Sequence, residues 1–133
     1  MRLNKDAFEK MTETYTTAWN SGNPEEVADH YAPDKGITIN RGENQFGREA
    51  IIAMAGGFMA SFPDMKLTRD FVRFAGDHAI FGWTLEGHHL ETGNLVKASG
   101  WEEWELNENC RITNSLGWFD TLDYEQQVAG QVQ

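Results

Sequence analysis

Asp120 is the first side chain whose surroundings could support acid–base chemistry. It directly follows the apolar run Leu116-Gly117-Trp118-Phe119. A carboxyl group that aromatic neighbours remove from water tends to have a raised pKa, which suits a general acid or base. The alternative is that Asp120 caps a C-terminal turn through Leu122 or Asp123, and the local sequence leaves both interpretations open.

His89 is the second candidate for proton transfer. His88 and His89 are adjacent, so on a strand they project to opposite faces and do not reach one zinc ion together. Parity places His89 on the face of Trp83, Leu85 and Gly87, where an imidazole could exchange a proton near neutral pH. A structural role for His89 is the alternative. The sequence predicts no metal site, and it has no Gly-rich phosphate loop.

The densest acidic run contains Glu102, Glu103, Glu105 and Glu108. Paired carboxylates can perform hydrolysis or bind divalent cations, but strand alternation separates Glu102 from Glu103 and Glu105. We therefore expect these side chains to be solvated and to discourage edge pairing of the sheet. Seven acids lie between positions 102 and 125, and Asp120 is the one expected among apolar neighbours.

Aromatic side chains with a polar tip indicate a cavity. The chain has five Trp and three Tyr residues, and such side chains usually need a hydrogen-bond partner when buried. Trp101 and Trp104 project to opposite faces of one strand, so one packs inside and the other lies in a subunit interface. We expect a small hydrophobic molecule to bind in the cavity. The expected cavity residues are Tyr15, Trp19, Tyr31, Trp83, Trp101 and Trp118.

Helical spacing in the first half and alternation in the second predict the elements that position these residues. A first helix begins after Asn4 and ends at Asn20, and a second opens with Asn23-Pro24. A short strand at 36–40, a polar loop and a helix at 48–62 follow. Four strands are then predicted near 66–75, 79–89, 95–106 and 111–119. Helices followed by hairpins indicate an α+β fold with helices on one face of a curved antiparallel sheet.

Length and charge limit the classes of function. The 133 residues suit one domain, 1–133. With 21 acidic and 11 basic residues the net charge is −10, which disfavours nucleic acid and anionic membranes as partners. Cys110 is the only cysteine, so no internal disulfide forms, and no apolar run approaches ~20 residues. We expect a cytoplasmic protein.

Six short motifs follow one another along nearly the whole chain. They are AWNSGNPE at 18–25, YAPD at 31–34, GREAI at 47–51, SFPD at 61–64, WTLEGHH at 83–89 and WFDTL at 118–122. In this order they resemble the SnoaL-like polyketide cyclase family, which belongs to the nuclear transport factor 2-like superfamily. The resemblance implies a cone-shaped fold in which N-terminal helices and a strongly curved sheet enclose one pocket, often in a homodimer.

The same resemblance implies a chemistry. Family cyclases close a ring in polyketide intermediates by an aldol step without metal or cofactor, using a pocket Asp as the acid/base. Asp120 stands at the expected position of that residue, and His89 matches the histidine of the family's Gly-Thr-His segment. The sequence departs from the family at the Asn109-Cys110 turn, usually Asp-Gly, and at Gly117, where many relatives carry a polar or charged residue.

These observations predict cofactor-independent enolisation of a hydrophobic carbonyl compound, with ring closure or isomerisation as the outcome. Asp120 would remove the proton, and His89 or a tyrosine hydroxyl would stabilise the enolate. Two alternatives remain: a non-catalytic binder of a small apolar ligand, and a dimerisation module with a vestigial pocket. The superfamily uses one scaffold for enzymes and non-enzymes, so the fold does not decide among them.

Overall fold

A computed structural model of the chain describes residues 4–131, which form four helices and six strands. The helices are α1 (Lys5–Asn20), α2 (Pro24–Ala28), α3 (Arg48–Ser61) and α4 (Thr121–Val128). The strands are β1 (Gly36–Ile39), β2 (Asn44–Phe46), β3 (Lys66–Ala75), β4 (His78–His88), β5 (Leu95–Leu106) and β6 (Ile112–Phe119). The predicted α+β class is confirmed.

The first two helices begin at the predicted capping residues. The Asn4 side chain accepts a hydrogen bond from the Ala7 amide, and the Asn23 side chain accepts one from the Glu25 amide. Each bond satisfies an amide that the first turn of a helix leaves without a partner. The apolar side of α1 is buried against the sheet through Phe8, Met11, Tyr15, Ala18 and Trp19.

The six strands form one curved sheet in the order β2-β1-β6-β5-β4-β3. Strands β3 to β6 are antiparallel neighbours, whereas β1 pairs parallel to β6. The register shifts between Arg69 and Phe71 and again between Glu105 and Leu106. Such irregularities bend a strand and increase its twist, and the helices pack on the concave inner face that results.

Strand β5 shows which side chains face the helices. Its alternate residues Val96, Ala98, Glu102, Trp104 and Leu106 are buried, while the residues between them are exposed. Glu102 therefore lies on the inner face of the sheet. The expectation that the whole acidic run is solvated is wrong for this one residue.

Two elements differ from the sequence prediction. The segment expected to be a polar loop after β1 contains β2, which pairs with β1 at the sheet edge. The segment after β6 forms the helix α4. The sequence predicted no helix there, and its alternative interpretation of Asp120 was the cap of a turn. No helix within residues 4–131 is long and apolar enough to cross a membrane.

Candidate functional site

An apolar cavity lies between the helices and the inner face of the sheet. Water molecules could occupy about 50 Å³ of it, which suits a few waters. The empty space between its lining atoms is about 490 Å³, part of which is open to solvent. The lining residues are Trp19, Ile37, Ile39, Met54, Phe58, Leu67, Trp83, Leu85, Glu102, Gly117, Trp118 and Phe119.

Ile39, Met54 and Phe58 separate this cavity from a neighbouring groove. The same three residues line both the cavity and this open groove, which lies between α3, the β1–β2 connection and Tyr124 of α4. A ligand that enters from the groove must therefore pass these three side chains. We call this partition the mouth of the cavity.

Glu102 is the one ionisable side chain among the described residues that line the cavity. It is only 7% exposed. Its Oε1 accepts hydrogen bonds from the Tyr15 hydroxyl at 2.9 Å, the Trp104 indole N–H at 2.9 Å and the Ser115 hydroxyl at 3.2 Å. Within residues 4–131 no donor contacts Oε2. The carboxyl group is thus held through one oxygen.

Burial raises the pKa of the Glu102 carboxyl above its usual value. The hydrogen bonds from Trp104, Tyr15 and Ser115 stabilise the charged form and partly oppose this rise. A carboxyl group with a raised pKa is a stronger base once ionised than an exposed one. This is the property that general-base catalysis requires.

Two tyrosines are linked to Glu102 by hydrogen bonds. Tyr15 donates its only hydroxyl proton to Glu102, so its 3.2 Å contact with Tyr31 requires Tyr31 to be the donor. Burial, with the neighbouring Glu102, raises the pKa of the Tyr15 and Tyr31 hydroxyls, which keeps both protonated. Both tyrosines were expected to line the cavity. The structure instead places them in a hydrogen-bonded chain that ends at Glu102.

Asp120 does not face the cavity. It is exposed, and its Oδ1 accepts a hydrogen bond of 3.0 Å from the Asp123 amide, which makes it the N-cap of α4. The predicted apolar setting is wrong because the chain leaves the sheet after Phe119 and turns into this helix. The capping interpretation describes its observed position.

His89 also lies outside the cavity lining. Its ring packs edge-on against Phe62 with centroids 5.5 Å apart, and its buried Nδ1 has no hydrogen-bond partner among residues 4–131. The adjacent His88 points away and bonds through Nδ1 to the Asp64 carboxylate at 2.7 Å. The predicted separation of the two histidines to opposite faces fits these contacts. The structure does not bring His89 and Asp120 to the cavity.

The predicted aromatic residues divide between the two faces of the sheet. Trp19 and Trp83 line the cavity. Trp118 borders it, but its register partner is Trp101, which is 39% exposed on the outer face. Assigning Trp101 to the cavity is therefore wrong, because Trp104 takes the inner position and Trp101 the outer one.

Glu102 is the cavity residue that the sequence did not predict. Strand alternation could have identified it, because Glu102, Trp104 and Leu106 project to one face and the last two are apolar. The neighbouring acids instead favoured the interpretation of the whole run as solvated. Within the described part of the chain, no cluster of His, Cys, Asp or Glu could hold a metal ion.

Solved structures with the same fold are numerous. A protein with a ketosteroid isomerase-like fold from Catenulispora acidiphila, solved with trimethylamine, is 18% identical, with coverage of 90% of this chain and 92% of that one and a TM-score of 0.82. A candidate SnoaL-like polyketide cyclase from Jannaschia sp. CCS1 is 15% identical, with coverage of 93% and 92% and a TM-score of 0.79.

A third similar structure is that of SalBIII, an epoxide hydrolase/cyclase-like enzyme described for its role in pyran ring formation in salinomycin. It is 11% identical, with coverage of 90% of this chain and 95% of that one and a TM-score of 0.79. At such identities the likeness establishes the fold alone. No functionally curated protein matches the sequence significantly.

The curved sheet and the helices on its inner face have the ketosteroid isomerase-like, or nuclear transport factor 2-like, fold. Within this class the family model of the SnoaL-like domain matches residues 12–115. Since that segment is most of the chain, the protein belongs to the SnoaL-like domain family.

Proposed function

We propose that the protein binds a small hydrophobic carbonyl compound in its cavity and that Glu102 is the general base that enolises it. The observation that carries this proposal is the position of Glu102. It is a buried carboxyl group at the wall of an apolar cavity, with three donors on one oxygen. Family membership and a neighbour named for ring formation support a cyclase or isomerase.

The proposed step transfers one proton. The Glu102 carboxylate takes a proton from the carbon next to the carbonyl, and the C–H electron pair forms a C=C bond as the carbonyl π electrons move to oxygen. In a ketone with a C=C bond one carbon further on, the enolate extends over that bond, and Glu102 returns the proton to its far carbon, which isomerises the substrate. Alternatively, the enolate carbon attacks a second carbonyl carbon of the same molecule, whose π electrons move to its oxygen, and Glu102 returns the proton to that oxygen as the ring closes. No metal or cofactor takes part in these steps.

Exchange of α-protons for deuterium tests the proposal without knowledge of the natural substrate. NMR in deuterated buffer would follow a panel of cyclic ketones of one to three rings, including 1-indanone. Glu102→Gln keeps an oxygen for the three donors but has no base, so we expect a loss of about 100-fold or more in exchange rate. Exchange at the buffer rate for the whole panel with wild-type protein would overturn the proposal.

Asp120→Asn is the matched control, because it also converts a carboxylate to an amide and retains a capping side chain. We expect its exchange rate to stay within about twofold of wild type, since general-base catalysis needs a group within reach of the substrate proton. If Asp120→Asn abolishes exchange and Glu102→Gln does not, the base is Asp120, and the assignment to Glu102 is wrong.

We also propose a homodimer formed through the outer face of the sheet. This face presents Ile80, Trp101, Leu116 and Trp118 in register on β4, β5 and β6. Glu103 lies in register between Ile80 and Leu116, Arg73 lies beside Ile80, and His78 lies opposite Glu105. A two-fold axis through this face would bring basic and acidic groups of two copies together, as a self-complementary interface requires.

A further inference from the structure

Two residues that line the cavity carry buried hydrogen-bond donors without an acceptor. The indole Nε1 atoms of Trp19 and Trp83 have no hydrogen-bond partner within residues 4–131, and both residues line the cavity. An indole N–H is only a donor, and the large majority of buried polar groups in native proteins are paired. A ligand oxygen in the cavity would supply the acceptor that these two groups lack.

Both indole rings are packed against neighbouring groups. A Cβ atom at Gly100 would meet the Trp118 carbonyl oxygen and would also come within 2.7 Å of the Trp83 Cζ2, so the glycine leaves room for both. Trp19 is 7% exposed and packs edge-on to Tyr15 with ring centroids 6.5 Å apart. The Trp19 N–H lies near the Tyr15 hydroxyl and slightly opposes the rise in its pKa. The two groups do not have the geometry of a hydrogen bond.

The third unpartnered indole among the lining residues, Trp118, does not belong to this pair. Gly117 faces the cavity, since a Cβ there would contact Ile37 and Ile39, so Trp118 extends from the opposite face. The Arg41 guanidinium lies 5.7 Å from its ring centroid. Its N–H is therefore in a different environment from those of Trp19 and Trp83.

We propose that Trp83 and Trp19 donate their indole N–H groups to oxygen acceptors of the ligand, and that the cavity thereby selects neutral carbonyl compounds. A hydrocarbon would leave both donors unpaired. An anion is disfavoured because no described lining residue is basic and Glu102 is the one ionisable group there. This inference rests on the cavity of the proposed function and adds the residues that recognise the oxygen of the ligand, but it does not require catalysis.

Indole resonances of the ¹⁵N-labelled protein test this inference directly. Single Trp→Phe variants assign the five indole signals, and 1-indanone is compared with indane, which has the same rings and CH₂ in place of C=O. We expect 1-indanone to move the Trp83 and Trp19 indole protons downfield, as hydrogen bonding does. The Trp104 signal, already bonded to Glu102, and that of exposed Trp101 should stay in place.

A variant separates hydrogen bonding from packing. Trp83→Phe removes both the N–H and part of the ring, so it should weaken both ligands, but we expect 1-indanone to lose about tenfold more affinity than indane. Trp101→Phe, with its ring on the outer face, should change neither affinity. If Trp83→Phe does not fold, the chemical shifts of the wild-type protein still decide.

Two results would overturn the inference: no downfield shift at either indole with bound 1-indanone, or no binding of 1-indanone at all. The indole shifts and the α-proton exchange together distinguish failure of this inference from failure of the proposed function. If 1-indanone shifts both signals but exchanges its α-protons at the buffer rate, the donors are confirmed and enolisation by Glu102 is excluded for this ketone.

Discussion

At the scale of the residue, two effects change the pKa of the Glu102 carboxyl in opposite directions. Burial in the cavity wall favours its neutral form, whereas the hydrogen bonds from Trp104, Tyr15 and Ser115 favour the ion. Burial is the larger effect, so the pKa is raised in the folded chain. The residue therefore binds its proton more tightly in the folded than in the unfolded protein.

This difference predicts how stability depends on pH. A carboxyl group with a raised folded-state pKa contributes stability that is complete below its unfolded pKa and is lost as pH rises through its folded pKa. Glu102→Gln cannot ionise, so we expect the variant to gain stability relative to wild type as pH increases upward from the usual Glu value of 4.5. Urea unfolding of both proteins between about pH 5 and pH 8 measures this difference.

Glu91→Gln is the control for that measurement, because Glu91 is exposed in the connection between β4 and β5. The difference in unfolding free energy between Glu91→Gln and wild type should not grow with pH as that of Glu102→Gln does. A flat difference for Glu102→Gln as well would mean that the buried carboxyl has the same pKa in the folded and unfolded chain.

The candidate site was predictable in part at this scale. Trp19 and Trp83 were expected at the cavity and line it, because strand parity and helical spacing follow directly from the sequence. Glu102 was missed because a run of acids is usually solvated, and its burial depends on Tyr15 and Ser115, which come from other elements. Long-range partners of this kind are not visible in local patterns.

At the scale of the element, Asp120 caps the helix α4, which packs along β5. Strand β6 pairs with β5 only from Gly100 onward, so the first part of β5 lacks a neighbour on that side. The Gln127 side chain of α4 accepts from the Lys97 amide at 2.6 Å and donates to the Lys97 carbonyl at 3.0 Å. The helix that Asp120 caps thus covers an open edge of the sheet.

Removal of this cap should destabilise the protein without affecting α-proton exchange. Asp120→Ala leaves the Asp123 amide without its acceptor, and we expect a loss of about 1 kcal/mol in the free energy of unfolding. Asp120→Asn should lose less, since asparagine caps equally well. Urea unfolding curves of the two variants give the comparison, and equal losses would contradict the capping role.

The helices and long strands were predictable because each has a strong apolar period and a capping or breaking residue at its end. Strand β2 was not, because Asn44-Gln45-Phe46 has no apolar alternation and forms through its pairing with β1. Helix α4 was not, because none of its residues is fully buried. Both elements are held by tertiary contacts, which outweigh weak local preference.

At the scale of the whole molecule, the outer face of the sheet is the contact surface of the proposed homodimer. Trp101 and its register partner Trp118 form the apolar centre of this face. A second copy related by a two-fold axis would cover the same patch on each subunit. The net charge of −10 opposes association, and added salt screens that repulsion.

Trp101→Glu should therefore convert a dimer to a monomer, because it places a charge at the centre of the buried patch. Sedimentation velocity of wild type and variant measures the change. Leu90→Glu is the matched control, because Leu90 is 66% exposed but lies beyond the end of β4, and this variant should remain dimeric. A monomeric wild-type protein, or a dimeric Trp101→Glu variant, would contradict the proposed interface.

The mouth formed by Ile39, Met54 and Phe58 has a consequence for the timing of ligand exchange. Because these three side chains separate the cavity from the groove, a ketone that enters from the groove binds only to molecules in which they have moved aside. The observed association rate then reaches a plateau at high ligand concentration, set by the frequency of opening. The same wall slows escape, so an intermediate would be retained long enough for its ring to close before water reached it.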